Sequence, residues 1–303
     1  MVAALTLAIT GTTGFVGARL IDAALAGGHQ IRALTRRPQP LRDGVTWVDG
    51  ALDRPASLAA LVESADAVIH VAGVVNAPDA AGFEAGNVIG TGAMLTAVEK
   101  AGIARFVHVS SLAAREPKLS LYGASKARSE ALVAASPLAT AIVRPPAIYG
   151  PGDRELLDMF KMAARGFVLL PPPGRLSLLH VDDLARLLLA LAAAPDERTV
   201  EPDDGHPRGW THGEFADLLG EAVGRKVRTL SMPRLAMAAA ARADRLLRGA
   251  KARLTPDRAA YFSHPDWVAD PARPVPPDLW QPMIPTPQGL ANTATWYRSN
   301  GWL

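Results

Sequence analysis

The feature that most constrains the fold is a glycine-punctuated turn between an apolar segment and an amphipathic one. The apolar run Leu5–Thr10 leads into Gly11, Gly14 and Gly17, and these overlap the helical pattern of Phe15–Ala26. Gly11 permits a sharp turn, Gly14 lets a pyrophosphate approach the backbone, and Gly17 lets the helix pack closely on the strand. The N–H groups at the start of that helix would face the phosphates. This context predicts a dinucleotide site, and the alternative is a tight strand–helix turn that binds no ligand.

Apolar runs typical of strands alternate with helical patterns through the first two thirds of the chain. The predicted strands are Leu5–Thr10, Gln30–Thr35, Thr46–Asp49, Ala67–Ala72, Arg105–Ser110 and Ala139–Arg144. The predicted helices are Phe15–Ala26, Ser57–Glu63, Val88–Ala101, Tyr122–Ala135 and Glu155–Arg165. Strands with little polar alternation suit a parallel sheet that is covered on both faces. The order predicts a doubly wound α/β fold of the Rossmann type, with the cofactor across the carboxyl ends of the strands.

The last third has a different pattern, beginning with the capping box formed by Thr211 and Glu214. The elements predicted there are a helix through Val223, a short strand at Lys226–Leu230, an Ala-rich helix from Pro233 to about Arg248, an irregular stretch at Pro265–Pro287 and a last helix from Thr286 to near Ser299. We therefore predict a dinucleotide-binding domain over 1–200. Residues 201–303 are predicted to form a smaller, mostly helical substrate lobe that makes one wall of a substrate cleft.

Composition excludes several classes of protein. With 49% hydrophobic and 20% charged residues the chain has the balance of an ordinary globular protein, and the absence of cysteine excludes disulfides and thiolate catalysis. The net charge of +3 does not imply nucleic acid. The first strand begins at Leu5, and apolar runs such as Leu187–Ala194 are too short to span a bilayer, so we expect a cytoplasmic protein without a signal peptide. His206, His212 and His264 lack metal-ligand spacing, so no metal site is predicted.

Basic residues are concentrated between Arg225 and Arg258, where ten Lys or Arg accompany only Asp244 and Asp257. A basic amphipathic helix can lie on an anionic membrane. The sequence alone favours the plainer interpretation, in which these charges form a solvated helix face.

A tyrosine and a lysine one helical turn apart follow a strand that ends in two serines. Tyr122 and Lys126 have the i, i+4 spacing that puts both side chains on one face of a helix. Lowering the phenol pKa from about 10 to about 7, where it could act as an acid or base, requires roughly 4 kcal/mol. We expect Lys126 and a cationic nicotinamide ring to supply this energy together. Tyr122 is then the general acid/base and Ser111, with Ser110 as the alternative, holds the substrate oxygen. The competing interpretation is a solvent-exposed Tyr/Lys pair without a catalytic role.

Further motifs extend this pattern along the chain. They are Val71-Ala72-Gly73, Asn87-Val-Ile-Gly90-Thr91, Arg144-Pro145-Pro146-Ala-Ile-Tyr149-Gly150-Pro151-Gly152, His180-Val-Asp182-Asp183 and Thr295-Trp296-Tyr297. With the glycine turn, the serines and the Tyr/Lys pair, they resemble the extended short-chain dehydrogenase/reductase superfamily, in its NAD-dependent epimerase/dehydratase and 3β-hydroxysteroid dehydrogenase-like branch. The resemblance runs from Leu5 to about Ala192. It departs at Gly50-Ala51-Leu52-Asp53, where the family often has Gly-Asp-Leu near the adenine.

This resemblance implies a nicotinamide cofactor, a catalytic set of Ser111, Tyr122 and Lys126, and a substrate lobe built mostly from the C-terminal third. It also implies that Lys126 binds the nicotinamide ribose and that Pro145 and Pro146 line the nicotinamide pocket. The residues expected to bind the cofactor are Gly11, Thr13, Gly14, Phe15, Val16, Gly17, Arg36, Arg37, Leu52, Val71, Ala72, Gly73, Lys126 and Pro145.

The end of the second predicted strand indicates which cofactor is preferred. NAD-dependent enzymes usually carry a carboxylate there for the ribose 2′-hydroxyl, whereas this chain has Arg36 and Arg37. Guanidinium groups bind phosphate in a bidentate manner. The sequence therefore predicts NADP(H) as the preferred cofactor, with NAD(H) still possible, and the alternative is that both arginines are solvated loop charges.

The segments expected to line the substrate are largely apolar and include Met159, Phe160, Met162 and Phe167. They favour a small, uncharged carbonyl or alcohol, although the same residues could belong to the core. We therefore predict an NADP-dependent oxidoreductase that interconverts a carbonyl and an alcohol. A redox-neutral epimerase or dehydratase and a non-catalytic NADPH-binding subunit remain as alternatives. The expected partner is a small-molecule substrate rather than nucleic acid, and a homodimer is compatible with the sequence.

Overall fold

The computed structural model describes residues 4–194, 196–249, 252 and 254–303. Contacts divide the chain into two compact units, each assembled from separate segments. The first unit comprises Met1–Pro145, Leu184–Glu201 and Arg273–Gln281, and the second comprises Pro146–Asp183, Pro202–Ala272 and Pro282–Leu303. The functional division at residue 200 stays a prediction.

Strands and helices alternate along the described chain. The strands are β1 (Thr6–Thr10), β2 (Gln30–Thr35), β3 (Val45–Asp49), β4 (Ala67–His70), β5 (Arg105–Val109), β6 (Ala139–Val143), β7 (Ala147–Tyr149), β8 (Phe167–Leu170), β9 (Arg175–Leu176), β10 (Leu178–His180), β11 (Arg198–Val200), β12 (Trp210–Thr211), β13 (Arg228–Ser231) and β14 (Asp266–Trp267). The α-helices are α1 (Phe15–Ala26), α2 (Pro55–Val62), α3 (Ala80–Phe83), α4 (Gly90–Lys100), α5 (Leu121–Ala134), α6 (Leu157–Ala164), α7 (Val181–Ala193), α8 (His212–Val223), α9 (Arg234–Arg248), α10 (Pro256–Phe262) and α11 (Thr286–Ser299). A π-helix covers Glu84–Ile89, and a short 3-10 helix covers Leu112–Arg115.

The first unit contains a seven-stranded sheet in the order β11-β6-β5-β4-β1-β2-β3, and every neighbouring pair is parallel. The chain runs outward from β1 to β3 and then returns to the other side of β1 as β4. This reversal makes a topological switch point, where the carboxyl ends of β1 and β4 leave a crevice for a ligand. The predicted doubly wound α/β class is confirmed.

Burial explains why these segments pair as they do. All of β5 is buried, and in β1 the side chains of Leu7 and Ile9 are fully inaccessible, as expected for strands covered on both faces. Helix α1 buries Leu20 and Ile21 against this sheet, and each such side chain contributes about 1.5–3 kcal/mol through the hydrophobic effect. The sheet is therefore a rigid base for the loops at its carboxyl edge.

The second unit has its own core, in which small sheets accompany the helices α6, α8 and α11. Phe160 and Tyr297 are fully buried there with ring centroids 5.1 Å apart. The predicted capping box is present at the start of α8, where Thr211 accepts from the backbone of Glu214 and the Glu214 carboxylate accepts from the Thr211 N–H. Of the apolar residues expected to line the substrate, Phe160 belongs to this core, whereas Phe167 is exposed.

The sequence-based prediction differs from the structure where tertiary contacts dictate the local backbone. The predicted helix Val88–Ala101 begins earlier, because a π-helix over Glu84–Ile89 leads directly into α4. Its inserted residue turns the buried Asn87 inward, and π-helical turns occur frequently at functional sites. The irregular stretch Pro265–Pro287 includes the short strand β14.

No helix within the described residues is both long enough and apolar enough to cross a bilayer. In the same part of the chain, no three His, Asp or Glu side chains are grouped closely enough to hold a metal ion.

Candidate active site

The turn after β1 needs glycine for steric reasons. Gly11 has φ +72°, in the left-handed region, and a Cβ there would lie 2.7 Å from the backbone nitrogen of Ala72. A Cβ on Gly17 would overlap the carbonyl oxygen of Gly11. Both positions therefore exclude any side chain, because the turn is pressed against α1 on one side and against the segment after β4 on the other.

The N-terminus of α1 has the features of an anion site. Gly14 is the N-cap residue and provides no side-chain hydrogen bond to the first turn. The first N–H groups of a helix have no acceptor within it, so those of Phe15, Val16 and Gly17 point toward an incoming group. Thr13 and Gly14 are exposed, which leaves the turn open to a ligand. A pyrophosphate fits this cradle, since the glycines let its oxygens approach the backbone.

The same turn is tied to the end of β2. The buried hydroxyl of Thr12 donates to the carbonyl oxygen of Leu34 at 2.7 Å. Arg36 and Arg37 directly follow this strand and are both exposed, so they lie at the same edge of the sheet as the glycine turn. Leu52 is half-buried beside Gly90, with its Cδ1 2.7 Å from where a Gly90 Cβ would lie.

The segment after β4 connects the glycine turn to Lys126. The Ala72 N–H donates to Thr10 Oγ1 at 3.1 Å, which anchors Val71-Ala72 beside the end of β1. Gly73 is exposed, and a Cβ on it would lie 3.1 Å from Lys126 Nζ. Because Gly73 has no side chain, only its backbone lies between Lys126 Nζ and the crevice.

The predicted catalytic residues Ser111 and Tyr122 are in contact. Ser111 follows the end of β5, where its Oγ accepts from the Ala113 N–H at 3.2 Å as the cap of the 3-10 helix. Tyr122 is half-buried in the first turn of α5, whose N-cap residue is Ser120. The Ser111 and Tyr122 hydroxyls are hydrogen-bonded to each other. Two hydroxyls that meet in this way can together bind one substrate oxygen.

In the protein chain alone, burial raises the pKa of Tyr122 above its usual value, and the hydrogen bond to Ser111 lowers it only in part. Loss of solvation thus disfavours the phenolate more than its surroundings stabilise it. The prediction that Lys126 and a cationic nicotinamide ring together bring the phenol toward neutrality concerns the cofactor-bound site and stays a prediction. At neutral pH Tyr122 carries its proton.

Lys126 is the basic group whose ionisation is shifted toward neutrality. Its Nζ is buried and donates to the carbonyl oxygen of Val109 at 2.9 Å. Burial lowers the pKa of Lys126 to about 8, and the negative charge of Glu130 opposes this shift. Pro145 is buried. Its carbonyl oxygen accepts from the N–H of Leu112 at 3.2 Å, which places it beside the segment that follows Ser111.

Ser110 has a different role from its neighbour. Its hydroxyl donates to Glu130 at 2.5 Å, and Glu130 also receives two hydrogen bonds from Arg144, at 2.6 and 2.9 Å. Arg144 and Arg115 both bind Glu201, so two arginines and two carboxylates form one network behind the site. Ser111 is therefore the serine that contacts Tyr122, while Ser110 anchors helix α5 to β5.

A second polar network, which surrounds the buried Asn87, is not evident from the sequence motif that contains this residue. The Asn87 amide donates to Ser125 at 2.8 Å, and the Ser125 hydroxyl donates to the carbonyl oxygen of Tyr122 at 2.8 Å. Asn87 also holds Val74 by both its N–H and its carbonyl, at 2.6 and 2.9 Å. The signal was present, because Ser125 lies between the two residues of the Tyr/Lys pair. The position of Ser125 alone does not identify Asn87 as its partner, because the contact depends on the π-helix in which Asn87 is buried.

His70 belongs to the buried framework. Its ring bonds Thr10 at 2.8 Å and Thr91 at 3.1 Å, and burial together with the nearby charge of Lys126 lowers its pKa to about 3. A ring that stays neutral through the physiological range serves as a hydrogen-bonding element between β1 and α4 and does not shuttle protons.

The fold and these contacts define an NAD(P)-dependent enzyme of the extended short-chain dehydrogenase/reductase type. A family model described as "NAD dependent epimerase/dehydratase family" matches residues 7–202. The chain belongs to this family, which confirms the resemblance inferred from its motifs, and its cofactor is accordingly a nicotinamide dinucleotide.

Curated relatives and solved structures agree with this assignment. The chain is 39% identical to a ceramide reductase of Caulobacter vibrioides, over 98% of this chain and 96% of the relative. It is 31% identical to a 4-hydroxy-2-methyl-3-oxo-4-farnesyl-3,4-dihydroquinoline-1-oxide ketoreductase of Stigmatella aurantiaca, over 77% of this chain and 78% of the relative. Its fold is similar to that of a UDP-N-acetylglucosamine 4-epimerase from Bacillus cereus, with a TM-score of 0.72 and 17% identity over 97% of both chains.

Proposed function

We propose that this protein is an NADP(H)-dependent reductase that converts a ketone on a long-chain, ceramide-class lipid to a secondary alcohol. The observation that carries the reaction type is the contact between Ser111 and Tyr122, at the carboxyl edge of a sheet whose glycine turn suits a dinucleotide. The relative named ceramide reductase, which aligns over nearly the whole chain, supports the substrate class.

The protonation state of the site supports carbonyl reduction. A ketone accepts a hydride at carbon and a proton at oxygen, so the enzyme must present an acid. Tyr122 retains its proton because burial raises its pKa. Its phenol donates that proton to the carbonyl oxygen while Ser111 donates a hydrogen bond to the same oxygen, and solvent later restores the proton.

The other residues hold this geometry. When bound, the nicotinamide cofactor supplies the hydride. We assign Lys126 to the nicotinamide ribose, and two contacts support this role: the Val109 carbonyl holds its Nζ, and the residue beside that Nζ is Gly73, which has no side chain to block a ligand. The overall change is ketone plus NADPH plus one proton to secondary alcohol plus NADP⁺, so atoms and electrons balance.

Arg36 and Arg37 support NADPH over NADH. Both are exposed directly after β2, and Thr12 ties the glycine turn to that strand end. A 2′-phosphate there would meet two guanidinium groups, which bind phosphate strongly. Calorimetric titration of the wild type and of Arg36→Ala/Arg37→Ala with both cofactors tests this preference. We expect tighter binding of NADPH by the wild type, with that advantage lost in the variant, and tighter binding of NADH by the wild type would overturn it.

A substrate panel tests the reaction. We would incubate the protein and NADPH with long-chain keto-amides of the ceramide class in detergent micelles, and with short apolar ketones, and follow nicotinamide absorbance. Consumption of NADPH with the long-chain substrates supports the proposal. Product formation without net loss of NADPH would favour the redox-neutral epimerase or dehydratase alternative, and stoichiometric NADPH binding with no turnover on any substrate would favour a non-catalytic binding subunit.

A further inference from the structure

Helix α9, in the second unit, exposes large apolar side chains to solvent. Leu235, Leu246 and Leu247 are 86–87% exposed. The helix is anchored by a different face, on which Met237 and Ala241 pack with Ala259 of α10. The three leucines therefore contribute nothing to this small core.

The exposed leucines share one side of the helix. At about 100° per residue, Leu246 projects about 20° from Leu235, and Leu247 projects about 120° from it. The remaining positions within this arc are alanines: Ala236, Ala239 and Ala243. The apolar arc thus contains no charged residue along the full length of the helix.

Arginines border this arc on one side. Arg242 projects about 20° outside it, and Arg245 and Arg234 follow at about 80° and 100°. All three are exposed. The acidic residue of the helix, Asp244, is directed elsewhere, because it pairs with Arg248 at 3.2 Å and accepts from the Leu254 N–H at 2.9 Å. The arc and its border therefore combine apolar surface with positive charge.

A neighbouring two-stranded sheet adds apolar surface in the same unit. In the β8–β13 pair, Leu169 lies opposite Leu230, and both are exposed, as is Phe167. Residues two apart on a strand share a face, so Phe167 and Leu169 project from the same side of this sheet. Leu230 lies five residues before Leu235 in the chain, and both side chains are exposed.

We propose that α9 lies in the surface of an anionic phospholipid bilayer. The three leucines enter the boundary between headgroups and acyl chains, and Arg242 and Arg245 bind lipid phosphates. An amphipathic helix with leucine on one face and arginine on the other binds membranes in this manner, through apolar burial and electrostatic attraction together. Helix α9 contains none of the residues assigned to the reductase site, so the inference goes beyond the proposed function and does not depend on it.

Charge decides against a second copy of the chain as the occupant. In a two-fold dimer the same face meets itself. Pairing two antiparallel copies through this arc would bring two rows of arginines side by side at its border without carboxylate partners, which is unfavourable. An anionic lipid surface supplies the opposite charge.

Cosedimentation with vesicles tests the proposal. The full chain is incubated at low salt with vesicles of phosphatidylcholine alone or of phosphatidylcholine with phosphatidylglycerol in equal parts. We expect the wild type to pellet with the anionic vesicles only, and less so as salt increases. The triple variant Leu235→Ser/Leu246→Ser/Leu247→Ser should bind these vesicles about tenfold or more weakly. The double variant Arg242→Gln/Arg245→Gln should also bind less and lose most of the salt dependence.

A matched control separates membrane docking from general loss of apolar surface. Leu41, in the first unit, is 99% exposed, and Leu41→Ser should bind vesicles like the wild type. All variants should keep the wild-type melting temperature, because the substituted side chains are exposed. Turnover of a detergent-dispersed substrate should also be unchanged, which keeps this test distinct from that of the reductase proposal.

Three results would overturn the inference. The first is a wild type that fails to pellet with anionic vesicles at low salt. The second is a triple leucine variant that binds them as well as the wild type does. The third is a wild type that sediments as a dimer in solution while the leucine variant is a monomer, because the apolar arc would then be an interface between two copies.

Discussion

Lys126 donates a hydrogen bond from Nζ to the carbonyl oxygen of Val109, the last residue of β5, at 2.9 Å. This contact fixes the ammonium at the edge of the sheet where the cofactor residues converge. Burial lowers the pKa of Lys126 and raises that of Tyr122, whose hydroxyl is hydrogen-bonded to Ser111. The two residues of the Tyr/Lys pair are thus positioned by different partners.

Replacing Tyr122 by phenylalanine should remove the proton donor and leave the site folded. We expect kcat for ketone reduction to fall by about 10²–10⁴, since general acid catalysis contributes this much. NADPH affinity should change by less than about threefold, because Tyr122 is not among the residues expected to bind the cofactor. Steady-state kinetics with a long-chain ketone and fluorescence titration of NADPH measure the two quantities. Full turnover by the variant would show that Tyr122 is not the acid.

The pKa of Lys126 predicts how stability depends on pH. Burial lowers the pKa of Lys126 to about 8 in the folded chain, whereas the unfolded chain keeps a value near 10.5. Between these values the unfolded state binds more protons, so this group makes folding more favourable as pH rises from about 8 to about 10. Below pH 8 the charged lysine costs up to about 3 kcal/mol.

The measurement is the free energy of urea unfolding of the wild type and of Lys126→Met between pH 7 and pH 10. The difference between the two should shift in favour of the wild type as pH rises. A difference that is constant over this range would mean that the lysine is not desolvated in the folded protein.

Glu130→Gln should weaken the network that joins α5 to β5 and β6. Glu130 accepts from Ser110 and twice from Arg144, and breaking a buried ion pair by removing one partner typically costs about 3–5 kcal/mol. The pKa of Lys126 should fall further, since the charge of Glu130 now raises it. Chemical denaturation measures the first effect, and the pH profile of NADPH binding measures the second.

The matched control is Arg128→Gln on the same helix. Arg128 binds Glu84 at 2.5 Å, and both side chains are largely exposed, so this change should cost less than about 1 kcal/mol. Equal losses for the two variants would contradict a special role for the buried network.

Gly17→Ala should abolish cofactor binding by deforming the first turn. The added methyl group would overlap the Gly11 carbonyl oxygen, so the helix must move away from the turn. Gly92→Ala in α4 is the control, because its Cβ would meet only Leu132 Cδ1 at 3.7 Å, and alanine is the better helix former by about 1 kcal/mol. Thermal melting with and without NADPH distinguishes the two. The Gly17 variant should lose the shift that NADPH produces, and Gly92→Ala should keep it.

The sequence predicted the first unit closely because its signals are local. Strand β2 and helix α1 have the predicted bounds, and so does α11 in the second unit, since periodic apolar residues, glycine and proline mark their ends. The pairing of Ser111 with Tyr122 was also predictable, because the end of β5 and the start of α5 must meet at the same edge of the sheet. The glycine turn could be predicted from the order of a strand, a turn and a helix alone.

Other parts of the site depend on tertiary contacts that no local pattern records. The π-helix at Glu84–Ile89 exists because Asn87 reaches Val74, and neither residue reveals this in the sequence. The raised pKa of Tyr122 follows from burial, which spacing alone does not give. The contact between Glu130 and Ser110 joins α5 to the end of β5, and a local pattern does not record it. The sequence does place Glu130 one helical turn after Lys126, on the same face of the predicted helix.

The two hydrogen bonds between Asn87 and Val74 have a structural consequence for the crevice. By satisfying both the N–H and the carbonyl of one residue, the amide imitates an adjacent strand just beyond the point where β4 has stopped. The segment that follows β4, in which Val71, Ala72 and Gly73 are predicted to bind the cofactor, thereby acquires the stiffness of sheet without a sheet neighbour. An aspartate in place of Asn87 could replace the acceptor but not the donor, and it would leave this segment held by one hydrogen bond in place of two.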